Sequence, residues 1–197
     1  LRMIELIVTD KSGRVIERRE INRDIFEEYL RREEASRDYS TRWFIRLLYG
    51  LFKYTTKNTV ERVDLTDTTG TAISIRTKYD TSTAHFFNNT YFGDIGFYIG
   101  VGTGTTPPTR DDYKMERKIA EAYASASVNE DAGIITLTAG FTWTTDQTIT
   151  EIGLEWLINF STSSPYNCRV LCDRTVLDTP ITVPAGTTLT VVYRFRL

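Results

Sequence analysis

The sequence predicts a mainly β protein: an antiparallel β-sandwich or jelly roll, with an N-terminal helical pair and a short inserted helix. Alternation is the first observation behind this. Ile135, Leu137, Ala139, Phe141 and Trp143 alternate with Thr136, Thr138, Thr142 and Thr144. Ile152, Leu154, Trp156 and Ile158 do the same with Glu151, Gly153 and Glu155, as do Leu189, Val191, Tyr193, Phe195 and Leu197 with Thr188, Thr190, Arg194 and Arg196. A period of two with one apolar face is the pattern of sheets packed on one side. The second observation is the density of threonine from residue 58 onward, since branching at Cβ favours strands. The third is the spacing of turn sequences such as Asn129-Glu-Asp-Ala-Gly133 and Val183-Pro-Ala-Gly186 between the apolar runs.

Bulk properties set the frame. A chain of 197 residues, 41% hydrophobic and 12% aromatic, suits one domain with a sizeable core. A net charge of -2 argues against a dedicated nucleic-acid binder, which is usually basic. No run reaches the roughly eighteen apolar residues of a membrane span. Charges in Leu1-Arg-Met-Ile-Glu5 stand where the apolar core of a signal peptide would lie, so no export signal is expected. Cys168 and Cys172 would share one face of a strand about 13 Å apart, too far for a disulfide. With His85 as the only histidine they make no four-ligand zinc site.

Taken in order, residues 3–9 and 14–19 read as strands around the turn Asp10-Lys-Ser-Gly13, a hairpin signal. Asn22 or Asp24 then caps a helix to about residue 34, with Ile25, Phe26, Tyr29 and Leu30 as its apolar stripe. A second helix follows, in which Trp43, Phe44, Leu47, Leu48, Leu51 and Phe52 recur at helical spacing. Such a stripe is core, a face that docks on a neighbouring subunit, or a helix lying on a membrane surface, and these six residues are the candidate interface. Residues 1–57 thus form a hairpin plus helical segment, and residues 58–197 the sandwich, the two packed as one unit. Within the sandwich, residues 60–66 and 72–78 make another hairpin around Asp67-Thr-Thr-Gly70.

The organising stretch begins at residue 95. An apolar strand runs into Gly100-Val-Gly-Thr-Gly-Thr-Thr106, and Pro107 and Pro108 end it because proline cannot donate to a ladder. Thr109 with Asp112 three residues on has the form of a capping box, and Tyr113, Met115, Ile119 and Tyr123 would line one face of a short inserted helix. A phosphate cradle needs more than this G-x-G-x-G run: the third glycine of the dinucleotide fingerprint and the Gly-Lys-Ser/Thr of a P-loop are both missing.

This stretch resembles a motif of structural proteins of tailed phages and archaeal viruses, in which a GTGTT strand-turn precedes DYxxE. Asp112-Tyr-Lys-Met-Glu116 supplies the second part, with Met115 in the usual leucine position. Glu151-Ile-Gly-Leu154 is similar to the family's next strand. Arg174, Pro180 and Gly186, followed by Leu189-Thr-Val-Val-Tyr-Arg-Phe195, resemble its ending. The residues carried over are Gly102, Gly104, Pro107, Asp112, Tyr113, Glu116, Glu151, Gly153, Leu154, Arg174, Pro180 and Gly186.

The resemblance implies a virion protein, made in the host cytoplasm, that assembles with itself into a ring or vertex at a tail, tail tip or nozzle and contacts other virion proteins. No catalytic group, metal or cofactor is expected. No nucleophile has a patterned histidine base. Glu151, Glu155, Asp173 and Arg174 read as cross-strand or intersubunit ion pairs rather than an acid/base pair. Asp111 and Asp112 read as first-turn helix acids, with a calcium loop as the alternative. The competing reading is a module that recognises host-surface glycan through Tyr98, Trp156 or Tyr166; the third is a hydrolase of cell-wall polymer using Glu151 or Asp173.

Overall fold

The computed structural model describes residues 2–23, 38–40, 62–76, 96–160 and 166–196. Among them are twelve strands and no helix. The first two, β1 (Arg2–Thr9) and β2 (Val15–Arg23), form the expected N-terminal hairpin, and β2 continues through Asn22. Asn22 lies opposite Met3 in the ladder, so it is a strand residue and not a helix cap. The rest of the helical pair, including all six candidate interface residues from Trp43 to Phe52, falls outside the described residues.

After the three-residue β3 (Asp38–Ser40) come the hairpin β4 (Arg62–Thr66) and β5 (Ala72–Arg76), then β6 (Gly96–Gly102), β7 (Lys118–Tyr123), β8 (Ser125–Asn129) and β9 (Ile134–Thr142). The long strands β10 (Gln147–Phe160) and β11 (Tyr166–Val183) precede β12 (Thr188–Arg196). One five-stranded sheet has the order β2-β1-β12-β9-β8, a second β3-β11-β10-β6-β7, and β4-β5 stands apart as a two-stranded ribbon. Every pairing is antiparallel. The chain's first strand pairs with its last along the whole of β1, so the N-terminal hairpin is an integral part of the sandwich.

The narrower jelly-roll expectation does not follow from this order. Adjacent strands β6–β7, β8–β9 and β10–β11 pair directly, and the chain changes sheet between these pairs.

Both hairpin turns use one device. In each, an aspartate side chain accepts hydrogen bonds from residues two and four further on, and a glycine takes the left-handed conformation. Asp10 Oδ1 accepts from Ser12 N (2.9 Å) and Arg14 N (3.0 Å), with Gly13 at φ 84°. Asp67 Oδ1 accepts from Thr69 N and Thr71 N (both 2.9 Å), with Gly70 at φ 87°. The aspartate replaces strand hydrogen bonds that the turn cannot make, and glycine carries no penalty at positive φ.

The two large sheets share one core. Ile4, Leu6, Leu137, Phe141, Leu189, Val191 and Tyr193 of the first meet Ile99, Val101, Ile152, Leu154, Ile181 and Val183 of the second. The inward residues are those that alternation marks in β9, β10 and β12. The core also holds a polar contact: the Tyr193 hydroxyl donates to buried Asp173 Oδ2 at 3.2 Å across the sheets.

The β10–β11 ladder has two register shifts. One leaves Cys172 without a partner residue, between Asp173 opposite Leu154 and Leu171 opposite Glu155. Simple alternation therefore does not carry from Cys168 to Cys172. Cys172 joins the core cluster, while burial and the nearby Asp67 carboxylate push the Cys168 thiol up to about 11. Exposed Pro180 sits in the second shift, between Val176 and Ile181, where a missing N–H is tolerated.

Leu154 is fully buried at the centre of this core. Leu154→Ala is expected to cost about 2–5 kcal/mol, the range for a leucine cavity that only partly collapses. Urea denaturation followed by tryptophan fluorescence measures it, and an unchanged midpoint would contradict the packing described.

Candidate functional site: a buried arginine hub

The outer face of β10 carries Glu151, Gly153 and Glu155, and Glu151 makes with Arg174 of β11 the cross-strand ion pair that the sequence leads one to expect. The depth of burial is what alternation does not show. Glu151 and Glu155 are as buried as the core, at 0% and 1% exposure. The segment 103–117 between β6 and β7 folds back over Glu151, and Lys118 and Arg169 lie over Glu155.

Glycines make this return possible. Gly100 lies opposite Gly153 in the β6–β10 ladder, and together they leave a notch for the Met115 side chain. A Cβ at Gly100 would stand 2.5 Å from Met115 Sδ, and one at Gly153 2.7 Å from the same atom. Gly102 lies opposite Glu151, where a Cβ would meet Arg117 O at 2.4 Å. A Cβ at Gly104 would stand 2.6 Å from Glu151 Oε2. The glycine run is thus an absence of side chains that lets a buried carboxylate and a returning loop occupy the same face. None of these four glycines is needed for a positive φ.

At the centre stands Arg174 on β11, 4% exposed in its side chain. Its Nε donates to Glu151 Oε1 at 2.6 Å, Nη1 to Asp112 Oδ2 at 2.6 Å, and Nη2 to the Thr106 carbonyl at 3.1 Å, with Glu116 Oε2 at 3.4 Å. Glu151 in turn accepts from the backbone N–H groups of Glu116 (2.7 Å) and Arg117 (3.1 Å). Glu116 accepts from Thr105 N and Thr106 N, both at 2.8 Å. A buried ion pair is tolerated when its remaining lone pairs and protons are satisfied in this way. Burial works against the Arg174 charge, but the hydrogen bonds to Glu151 and Asp112 outweigh it and raise its pKa above the ordinary value. Backbone and hydroxyl hydrogen bonds from Thr106, aided by Thr105 and Arg174, hold the Glu116 carboxyl below its ordinary value.

The same contacts explain why no helix forms after residue 112. The N–H groups of Glu116 and Arg117, which a helix would return to its own carbonyls, go to Glu151. The capping pair is real, with Thr109 N donating to Asp112 Oδ2 at 3.0 Å and Thr109 Oγ1 to Asp112 Oδ1 at 2.8 Å. It closes one turn only. From Lys118 the chain is the edge strand β7, so Ile119 and Tyr123 are exposed at 39% and 58% instead of completing a helical stripe.

A second charged group lies further along the same face. Lys118 Nζ reaches Glu155 (2.8 Å) and Glu121 (2.6 Å), and Arg169 pairs with Glu121 while lying 4.0 Å from the Tyr98 ring centroid. Burial depresses the Lys118 pKa, yet the hydrogen bonds to Glu121 and Glu155 leave it raised overall.

The structure therefore gathers Gly102, Gly104, Asp112, Glu116, Glu151, Gly153 and Arg174 into one cluster. Tyr113 borders it, with its ring against Gly70 of the β4–β5 turn, and Leu154 points the other way into the core. Pro107 is exposed in the loop. Gly186 (φ 75°) lies apart, turning β11 into β12 and donating its N–H to Trp143 O. Sequence reasoning did not single out Thr106 or Lys118, and placed Met115 as a motif residue and on the face of a helix that does not form, not in a notch between glycines. The facing glycines Gly100 and Gly153 were the available signal for the notch.

An open pocket of about 320 Å³ borders the hub, lined by residues including Thr109, Asp111, Lys114 and Arg174. The hub itself has little free chemistry. Both Glu151 oxygens are engaged by the loop and Arg174, so Glu151 cannot act as acid or base without dismantling that contact. Among the described residues no group of three or more potential ligands is placed to hold a metal ion. No known protein family, curated protein or solved structure matches this chain.

Two predictions follow from the hub's electrostatics. Arg174→Ala strands the Glu151 carboxylate in the interior and is expected to cost about 3–5 kcal/mol, whereas Arg174→Lys keeps the charge, loses the fork and should fall between. Chemical denaturation of the two variants reads the order, and equal loss in both would mean that only charge matters. The second concerns acid. The folded Glu116 pKa lies below the ordinary 4.5, so its contribution is complete above 4.5 and fades as pH falls through the lower folded value. Glu116→Gln should flatten the fall in denaturation midpoint on acidification below pH 4.5, and an unaltered pH profile would rule this out.

Proposed function

We propose that this chain is a non-enzymatic structural protein of a virion that assembles with itself as a ring or vertex, at a tail, tail tip or nozzle. The observation that carries the reading is the convergence of the resembling motifs. The GTGTT and DYxxE segment (residues 102–116), Glu151-Ile-Gly-Leu154 and Arg174 come from three separate stretches of the sequence yet meet in one buried contact. Motifs that share one mechanical task are what a common scaffold requires, and the task here is pinning a loop to a sheet. The saturated hydrogen bonding of Arg174 and Glu151 supports rigidity over turnover. Rigid blocks suit closed symmetric assembly, and a jelly-roll-like sandwich is the block that this reading assigns. Other virion proteins are its expected neighbours, and the stripe from Trp43 to Phe52 is the docking face assigned to them or to another copy.

The alternative is a host-surface glycan-binding module. One observation favours it: Tyr123 is 58% exposed and meets Tyr98 edge-on at 5.5 Å. Tyr98 and Trp156, two of the rings named from sequence, fit less well. Arg169 lies over Tyr98, and Trp156 is stacked on Phe97 at 5.3 Å.

Light scattering with electron microscopy of the purified protein tests the choice. Rings, tubes or a discrete multimer are expected. A monomer at every concentration, with binding on a glycan array that Tyr123→Ala abolishes, would replace the structural reading with the glycan one.

A further inference from the structure

Sheet edges expose unpaired N–H and C=O groups, and proteins guard them with charge, proline or bulges. Among the described residues four strands end the two sheets: β2, β8, β3 and β7. β2 carries Glu17, Arg18, Arg19 and Glu20, β7 carries Lys118 and Glu121, and β3 has only three residues and begins with Asp38. β8 is different. Its sequence, Ser-Ala-Ser-Val-Asn, has no charge and no proline, it pairs with β9 without a register shift, and all five residues are exposed.

Register adds a second observation. Ala126 lies opposite Leu137 and Val128 opposite Ile135, so both share the core-facing side of their sheet. Leu137 is buried, but Val128 is 63% exposed. Among the described residues, the apolar face of this sheet runs one strand beyond its cover.

We propose that β8 is the strand through which two copies of this chain pair, antiparallel about a two-fold axis, joining their sheets into one. The occupant is argued from charge. In a two-fold contact a strand meets itself, so like charges are brought close unless the strand has none or alternates favourably. β8 has none. Centring the contact on Ser127 sets Val128 of each copy opposite Ala126 of the other, on the uncovered apolar face. The acidic turn at Glu130 and Asp131 follows β8 directly, and antiparallel pairing sends the two turns to opposite ends, whereas parallel pairing would stack them. Five residues are an ordinary strand length for such a ladder. The inference takes from the proposed function only that the chain associates with itself. It supplies pairs, and a ring or tube needs a further contact elsewhere.

The test is Ser127→Cys in the full chain under mild oxidation. The native Cys168 and Cys172 are buried, so a cross-link reports on position 127. Directly opposed antiparallel residues have Cα atoms about 4.5–5.5 Å apart, within disulfide reach. A covalent dimer on a non-reducing gel is expected. Val128→Lys, with its fold checked by circular dichroism, is expected to weaken dimerisation about tenfold or more by light scattering. Ile16→Lys on β2, also at an exposed position, should leave it unchanged. If the protein associates but Ser127→Cys does not cross-link, or Ile16→Lys disrupts association and Val128→Lys does not, the β8 contact is wrong and self-assembly stands. A cross-linked dimer without rings, tubes or any larger multimer upholds β8 and overturns the ring. A wild type that stays monomeric, with a Ser127→Cys variant that never cross-links, overturns both.

Discussion

The contact between Arg174 and Glu151 is the constraint on which this structure turns. A carboxylate with no solvent access on the outer face of a strand is tolerated only if its charge is matched and its lone pairs are filled. Arg174 supplies the charge from the neighbouring strand, and the loop supplies two N–H groups. The loop cannot be elsewhere without stranding the carboxylate. The carboxylate is equally bound to its site, because Gly102 and Gly104 are the positions that leave room for it. Loop path, glycine pattern and ion pair are therefore one interdependent arrangement.

That arrangement makes the outer face of the second sheet behave as a small core of its own. Met115 fills the notch between Gly100 and Gly153, and Lys118 and Arg169 close over Glu155 and Glu121 beside it. The other sheet follows the same logic with fewer parts. Glu5, 1% exposed on β1, accepts from Arg194 at 2.6 Å, and Arg18 Nε stands 2.5 Å from its other oxygen, outside good hydrogen-bond geometry. The ion pair is the sounder description of that second contact, since opposite charges attract regardless of the angle. In both sheets arginine, with its planar fork, partners the buried acid.

Such a face defines the positions of the strands and the loop mechanically. The charged groups are bound to one another, and the register shifts of β10 and β11 fix where Arg174 meets Glu151. Among the described residues, the uncharged edge strand β8 is the exposed counterpart of these contacts, with Val128 in the open.

Alternation alone determined much of the fold. The alternating apolar positions of β9, β10 and β12 face the core because side chains on a strand alternate in space as they do in sequence. Both Asp-x-Ser/Thr-Gly turns were legible for a similarly local reason: the aspartate bonds and the glycine φ are satisfied within five residues. The helix after Thr109 was misread because its cap is local but its continuation is not. Glu151, thirty-five residues on, takes the N–H that a helix would use. The pairing of Glu151 with Arg174 was legible from their charges, but the burial of Glu151 and Glu155 was not, since what covers them comes from other strands and a loop. Only the tertiary structure decides which polar residues are buried, because that depends on partners brought together across the chain.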